Sequence, residues 1–213
     1  MNELKKRFLT SLVLIIILVS MSIYNYIFIS SLIIISCVIW VELNSMFIKI
    51  FKNYYYKILI NFLSLIYIFY FIWVSINTLH SYDTKVIWIY SVLICIMSDI
   101  GGFVFGKTFK GPKLTKISPN KTFSGMIGAF IFSLLLMMVY YFTIDNSDFF
   151  KYLIITLIIS STSQLGDIFI SFIKRKAKVK NSSDILPGHG GLLDRVDGMI
   201  FGIPAGLNLT GFF

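Results

Sequence analysis

The sequence predicts an all-α, polytopic integral membrane protein with about seven transmembrane helices. The first observation is composition, since 57% of the 213 residues are hydrophobic and only 14% are charged, whereas about a quarter of the residues of a soluble domain are charged. The second is a series of apolar runs near span length, separated by short polar segments. Seven such spans would use the whole length, so we expect no separate soluble domain.

The N-terminal half contains three of the predicted spans. Lys5, Lys6 and Arg7 precede an apolar run at residues 8–22. This arrangement is also typical of a signal peptide, but no small-residue cleavage site follows, so the run is interpreted as span one. The next two spans are predicted at residues 27–41, ending before Glu42 and Asn44, and at residues 58–79.

The C-terminal half contains the other four spans and most of the unusual residues. These spans are predicted at residues 86–105, 123–142, 152–173 and 192–213. Two long polar loops follow the first and the third of them. We therefore divide the chain into a membrane scaffold, residues 1–95, and a catalytic membrane region with two cytoplasmic loops, residues 96–213.

Basic residues predict the orientation in the membrane. The net charge of +9 is compatible with a nucleic-acid partner, but cytoplasmic loops of membrane proteins also collect Lys and Arg. With the predicted spans, all of the 19 Lys and Arg residues except Lys85 and Lys151 fall on one side. The N-terminus and both long loops are therefore predicted to be cytoplasmic, and no nucleic-acid partner is expected.

Four aspartates are predicted at a similar depth in the membrane. Asp99 and Asp167 each lie six residues before the cytoplasmic end of a span, about 9 Å deep at 1.5 Å per residue. Asp194 and Asp197 begin the last span from the same side. Repulsion among them must be offset by protonation or by bound cations, and all-oxygen ligands suit Mg²⁺. The alternative is helix capping and salt bridges to basic neighbours, namely Lys174, Arg175 or Arg195.

The two loops contain residues that suit phosphate groups. In the first, Ser118, Lys121 and Thr122 precede a helix, and helix N-termini bind anions; the alternative is an ordinary positively charged cytoplasmic loop. In the second, His189 lies among glycines that include Gly190 and Gly191. Glycine lets the backbone approach a ligand closely, and His can donate a hydrogen bond or transfer a proton; the alternative is a glycine hinge.

The second loop resembles a known family signature. Ser171-x-Ile-Lys174-Arg175-x4-Lys180, followed by Leu186-Pro-Gly-His-Gly-Gly-Leu-Leu-Asp194-Arg195-Val-Asp197, closely resembles that of the phosphatidate cytidylyltransferase (CDP-diacylglycerol synthase) family. Three upstream blocks are also similar to this family: Ser98-Asp99-Ile-Gly101, Lys116-Ile-Ser-Pro-Asn-Lys-Thr-Phe-Ser-Gly125 and Gln164-Leu-Gly-Asp167. The sequence departs from the family pattern at Asn181, where Asp is usual, and at Asn120 and Ser124, where Lys and Glu are usual.

The resemblance implies transfer of a cytidylyl group from CTP to phosphatidic acid with Mg²⁺ or a similar divalent cation. The metal ligands it implies are Asp167, Asp194 and Asp197, with Asp99 as a further ligand or as a residue in the second coordination shell. The catalytic set comprises Asp167, Lys174, Arg175, His189, Asp194 and Asp197. The substrate-binding set comprises Ser118, Lys121, Thr122, Lys180, Gly190, Gly191 and Arg195.

The implied setting is the bilayer of the cell (inner) membrane, with the active site on the cytoplasmic side. The oligomeric state is left open, with a homodimer as the candidate assembly. Two alternative functions are also left open. One is a CTP-dependent kinase of a membrane isoprenoid alcohol, in which the alcohol would attack the γ-phosphate of CTP. The other is a cation transporter that uses the carboxylates as an ion path.

Overall fold

A computed structural model describes residues 3–115, 118, 121–188 and 190–210. The helices are α1 (Glu3–Ile23), α2 (Asn25–Ile50), α3 (Tyr54–Asn77), α4 (Tyr82–Phe109), α5 (Phe123–Thr143), α6 (Phe149–Lys176), α7 (Leu193–Val196) and α8 (Met199–Thr210), with a 3₁₀ turn at Thr78–His80. Within these ranges the only extended pairings are two isolated bridges. The predicted all-α class is confirmed.

Five helices, α2 to α6, are long and apolar enough to cross a membrane. Large apolar side chains cover their outer surfaces, such as Phe69 on α3, which is 67% exposed, and Phe142 on α5, which is 77% exposed. The predicted polytopic membrane class is therefore confirmed. The apolar parts of α1 (Arg7–Ile23) and α8 (Met199–Leu209) are shorter, so the predicted number of seven spans stays a prediction.

The second span was predicted to end before Glu42, and this boundary was wrong. Helix α2 continues to Ile50, and the Glu42 side chain is only 1% exposed. A carboxylate normally indicates the end of an apolar helix because its burial is costly without partners. Here hydrogen-bond donors from elsewhere in the chain satisfy it, so the helix continues past it.

The last predicted span, which was to begin at residue 192, is also interrupted. The four-residue helix α7 ends at Val196, and α8 begins at Met199. Asp197 and Gly198 form the turn between them. A Cβ atom on Gly198 would lie 2.4 Å from Ser163 Oγ, so this turn requires glycine. Asp194 and Asp197 therefore do not share one continuous helix, as the sequence analysis expected.

Packing divides the chain into two compact units. The first unit comprises the residues up to Leu79 together with Ile173–Val196, and the second comprises His80–Phe172 together with the residues from Asp197 onward. In the first unit, α2 packs against α1, α3 and α7. In the second, α4 packs against α5 and α8. The predicted functional division at residue 95 stays a prediction.

In the second unit, glycines bring α4 and α5 into close contact. A Cβ atom on Gly101 would lie 2.3 Å from the carbonyl oxygen of Gly128, and one on Gly125 would lie 2.8 Å from that of Gly102. Small residues at a helix crossing let the backbones approach each other in membranes. This contact places the Asp99 segment of α4 beside the first turns of α5.

Candidate active site

The loop between α4 and α5 folds back on itself. Helix α4 ends at Phe109, and the next residue, Lys110, has a φ of 52° that turns the chain away from the helix. The Leu114 N–H then donates to the Lys121 carbonyl at 2.8 Å, and the Phe123 N–H donates to the Pro112 carbonyl at 3.1 Å. These bonds hold Lys121 immediately before α5.

Thr122 completes the start of α5. Its side-chain oxygen accepts a hydrogen bond from the Gly125 N–H at 3.1 Å, which satisfies one of the free donors of the first turn. The Thr122 and Ser124 hydroxyls are 2.9 Å apart, and Ser124 donates to the Lys110 carbonyl. The loop and the start of the helix are therefore tied together, and the predicted phosphate-binding residues have defined positions.

A cavity of about 320 Å³ lies in the second unit, and we name it the Lys121 cavity. It brings together five residues that the sequence analysis selected from three separate segments. These are Asp99, Ser118, Lys121, Thr122 and Asp167. Ser98, Gln164 and several glycine and apolar residues complete its wall.

Lys121 and Asp167 form an ion pair inside this cavity. The Lys121 ammonium contacts Asp167 Oδ2, and both side chains are about three-quarters buried, with 23% and 29% exposed. Ser171 Oγ donates to Asp167 Oδ1 at 3.3 Å. The cavity therefore offers a cation suited to phosphate oxygens next to carboxylates suited to a metal ion.

The carboxylate oxygens of the Lys121 cavity are suitable ligands for Mg²⁺. Among the described residues, no three His, Cys, Asp or Glu side chains lie together. However, Mg²⁺ usually binds through one or two carboxylates, with water and substrate phosphates as its other ligands. Asp99 and Asp167 provide two carboxylates in one cavity, and Gln164 also lines it. The wider metal set that includes Asp194 and Asp197 stays a prediction.

In the first unit, Glu42 anchors the glycine-rich segment. Its carboxylate accepts hydrogen bonds from the N–H groups of Leu192 at 3.0 Å and Leu193 at 2.8 Å. It also accepts from the hydroxyls of Ser182, at 2.8 Å, and Ser183. Four donors on one buried carboxylate fix the backbone on both sides of the glycines. This role of Glu42 was not predicted from the sequence; the signal that could have indicated it is a lone carboxylate in an apolar run.

Asp194 is held in the same first unit. Lys174 Nζ donates to its Oδ1 at 2.8 Å, and the N–H groups of Ser182 and Gly191 donate to its Oδ2 at 2.9 and 3.1 Å. Burial alone would raise the pKa of this carboxyl, but the hydrogen bond from Lys174 and the two backbone donors outweigh that effect and lower the pKa. Of the alternatives left open by the sequence, the salt bridge to Lys174 is present.

Gly191 has no room for a side chain. A Cβ atom there would lie 1.8 Å from Ser182 Oγ and 2.8 Å from Glu42 Oε1. The backbone of the glycine-rich segment thus approaches the Glu42 carboxylate as closely as glycine allows. Packing by itself therefore requires glycine at this position, and the predicted role of Gly191 in substrate binding stays a prediction.

A second cavity, of about 610 Å³, lies in the first unit, and we name it the Lys180 cavity. It includes three predicted substrate-binding residues, Lys180, Gly190 and Arg195. Asn181, the departure from the family pattern, also lines it. Two predicted basic residues of this loop, Lys180 and Arg195, therefore face a common space.

The remaining predicted site residues are Arg175, Asp197 and His189. Arg175 is exposed near the end of α6 and is not among the residues that line the Lys180 cavity. Asp197 lies in the turn before α8, and its Oδ1 accepts from the Gly198 N–H at 3.0 Å. His189 lies outside the described residues. The catalytic roles of all three stay predictions.

Comparison with known proteins decides the family. The sequence model of the Cytidylyltransferase family matches residues 1–213. The chain belongs to the cytidylyltransferase family. The family resemblance predicted from the Ser171–Asp197 signature is thereby confirmed, and the names of similar proteins agree with it.

Several curated relatives of this chain are named phosphatidate cytidylyltransferase. The protein of Staphylococcus haemolyticus is 43% identical over 118 residues, which is 54% of this chain and 45% of the relative. The protein of Staphylococcus saprophyticus is 39% identical over 138 residues, which is 62% of this chain and 53% of the relative. That of Rickettsia felis is 40% identical over 141 residues, 62% of each. The chain thus spans about half the length of the curated relatives it matches.

Proposed function

We propose that this cytidylyltransferase transfers the cytidylyl group of CTP to phosphatidic acid, forming CDP-diacylglycerol and pyrophosphate. The observation that carries the proposal is the Lys121 cavity, where a loop lysine and two helix carboxylates meet. Relatives with the name phosphatidate cytidylyltransferase support the choice of reaction. The apolar helices support a substrate that lies in the bilayer.

The reaction needs no nucleophilic side chain. An oxygen of the lipid phosphate, which is ionised at neutral pH, attacks the α-phosphorus of CTP. A new phosphoanhydride bond forms, and the bond from the α-phosphorus to the oxygen bridging it to the β-phosphorus breaks, so that pyrophosphate leaves. Proton transfer to or from the attacking group is not required. The protein therefore contributes binding, orientation and charge neutralisation.

The described residues suit these tasks. Lys121 can bind a phosphate oxygen of the nucleotide, with Ser118 and Thr122 as hydroxyl donors in the same cavity. Asp99 and Asp167 would hold Mg²⁺, which when bound neutralises charge on the phosphates and polarises the reacting phosphorus. In the other unit, Lys180 and Arg195 can bind a further phosphate. We infer that these loops face the cytoplasm, where CTP is found.

The test is an assay of the purified protein with labelled CTP, phosphatidic acid in mixed micelles and Mg²⁺. We expect release of pyrophosphate and formation of a CDP-lipid, and loss of both in Lys121→Gln. Production of CDP and a phosphorylated isoprenoid alcohol would support the alternative kinase. Cation flux into proteoliposomes without any CTP turnover would support the alternative transporter, and either result would refute our proposal.

A further inference from the structure

The Lys180 cavity has a strongly positive wall that includes a residue outside the signature. Its charged lining residues are Arg7, Lys180, Asp184 and Arg195. Among the lining residues that the structure describes, three cations face one carboxylate, so the cavity favours an anionic ligand. Arg7 belongs to α1, more than 170 positions before Lys180.

The turn of the signature shapes the rest of this cavity. The N–H groups of Leu186 and Gly190 donate to each other's carbonyls at 2.8 and 3.1 Å, closing a tight turn. Gly188 and Gly190 have φ values of 79° and 82°, which glycine adopts without strain. A Cβ atom on Gly190 would lie 3.3 Å from the Asn181 side chain. This turn therefore places the backbone of its glycines close to the polar side chains that line the Lys180 cavity.

Arg7 lies at the boundary between a polar and an apolar surface. The next residues on α1 are apolar and outward-facing: Phe8 is 73% exposed, Leu9 54% and Leu12 44%. An exposed apolar surface of α1, suited to hydrocarbon chains, thus begins one residue after Arg7. A ligand with a phosphate group and long acyl chains matches both surfaces, whereas the triphosphate and sugar of a nucleotide match only the cavity.

We propose that Arg7 is a substrate-binding residue that holds the phosphate monoester group of the lipid substrate in the Lys180 cavity, with Lys180 and Arg195. This proposal rests on the proposed function, because it assigns the acceptor's position in that reaction. A guanidinium can bind two oxygens of one phosphate at once. The acyl chains lie against the apolar face of α1 that begins at Phe8.

Cytoplasmic basic residues also orient membrane proteins, and this general role must be separated from binding. It applies equally to Lys5, which is exposed on the same helix and is not among the residues that line the cavity. Lys5→Gln removes the same charge from the same helix end. It is therefore the matched control for Arg7→Gln.

The first experiment measures KM for phosphatidic acid and for CTP with the full chain in mixed micelles. Loss of a charged hydrogen-bonded contact should raise KM for phosphatidic acid in Arg7→Gln by about 10- to 100-fold. KM for CTP should change by less than about 2-fold, Lys5→Gln should match the parent, and Arg7→Lys should recover part of the loss. A larger rise in KM for CTP than for phosphatidic acid, or equal effects in Arg7→Gln and Lys5→Gln, would overturn the proposal.

The second experiment does not depend on turnover. Melting temperatures of the parent, Arg7→Gln and Arg7→Lys are measured in detergent with short-chain phosphatidic acid, inorganic phosphate or CTP. We expect the lipid phosphate to raise the Tm of the parent more than inorganic phosphate does, and Arg7→Gln to lose most of that rise. An unchanged rise in the variant would overturn the proposal.

The two experiments also separate this inference from the proposed function. If the parent binds phosphatidic acid through Arg7 but forms no CDP-lipid, the proposed reaction fails and the binding assignment stands. If the parent forms CDP-lipid and Arg7→Gln behaves as Lys5→Gln does, the reaction stands and the assignment fails. Should Arg7→Gln not fold, Arg7→Lys, which keeps the charge but loses the planar fork, gives the same comparison.

Discussion

The Glu42 carboxylate accepts a hydrogen bond from the Leu193 N–H at 2.8 Å, although 151 positions separate the two residues. Glu42 lies inside α2, and Leu193 begins α7 directly after the glycine-rich segment. Both residues are buried, with 1% and 0% exposed. One buried charge in an early helix thus positions the signature segment.

We predict that Glu42→Gln destabilises the protein by on the order of 3 kcal/mol, because an amide cannot accept from all four donors and leaves some unsatisfied. Thermal melts in detergent would measure the loss, with Asp83→Asn, an exposed carboxylate in the first turn of α4, as the control. Equal melting temperatures for the two variants would show that the Glu42 contacts contribute little.

The Lys174–Asp194 pair predicts a pH-dependent contribution to stability. The side chains are only 13% and 12% exposed, so Asp194→Asn should leave the Lys174 charge buried without its partner and cost on the order of 3 kcal/mol at neutral pH. Because the pKa of Asp194 is lowered from 3.8, the ionised form stabilises the fold above that value. The stability is lost as the pH falls through the lower, folded-state pKa.

The difference in unfolding free energy between the parent and Asp194→Asn should therefore be constant from about pH 5 to pH 7 and shrink below about pH 4. Denaturation of both proteins across this range measures it. A difference that grew as the pH fell would contradict the assigned direction of the pKa shift.

Two adjacent glycines of α4 provide a matched pair. A Cβ atom on Gly101 would lie 2.3 Å from the Gly128 carbonyl oxygen, whereas one on Gly102 would meet nothing closer than 3.6 Å. We predict that Gly101→Ala lowers stability by about 1–3 kcal/mol through overpacking. Gly102→Ala should be neutral or gain up to about 1 kcal/mol from helix propensity. Melting temperatures that fell equally would argue against the close contact of α4 and α5.

Metal dependence tests the two carboxylates of the Lys121 cavity. Asp99→Asn and Asp167→Asn should each raise the Mg²⁺ concentration for half-maximal activity by about 10- to 100-fold, since each removes an anionic ligand. Asp148→Asn, on the loop before α6, is the control and should leave the Mg²⁺ dependence unchanged. Normal Mg²⁺ dependence in both cavity variants would mean that the metal is held elsewhere.

Membrane orientation can be tested with introduced cysteines. Cys37 is exposed and Cys95 is buried, so Cys37→Ala gives a suitable background. In intact cells, an impermeant thiol reagent should label a cysteine at position 151 and leave those at positions 113 and 180 unlabelled, because the basic loops are predicted to be cytoplasmic. Labelling at position 180 from outside would reverse the predicted orientation.

The sequence by itself determined the helical membrane class and most of the candidate site. Apolar composition and the length of the runs indicate membrane helices because the bilayer demands internally satisfied backbones. Asp99 and Asp167 could be selected because charge is costly within apolar spans, and Lys121 because it precedes a predicted helix in a loop with hydroxyl and basic side chains. These signals are local, so they can be read without knowing which helices are neighbours.

Only the tertiary structure decided how these residues pair. Local periodicity does not record that Glu42 meets Leu193, that Asp194 is neutralised by Lys174, or that Arg7 lines the Lys180 cavity. The predicted end of the second span was wrong because distant hydrogen-bond donors satisfy the buried Glu42 carboxylate. The last span was predicted as continuous, but it is interrupted at Gly198, where a close contact requires a turn. The physical reason is that burial of a polar group depends on its partners, and those partners come from segments far away in the chain.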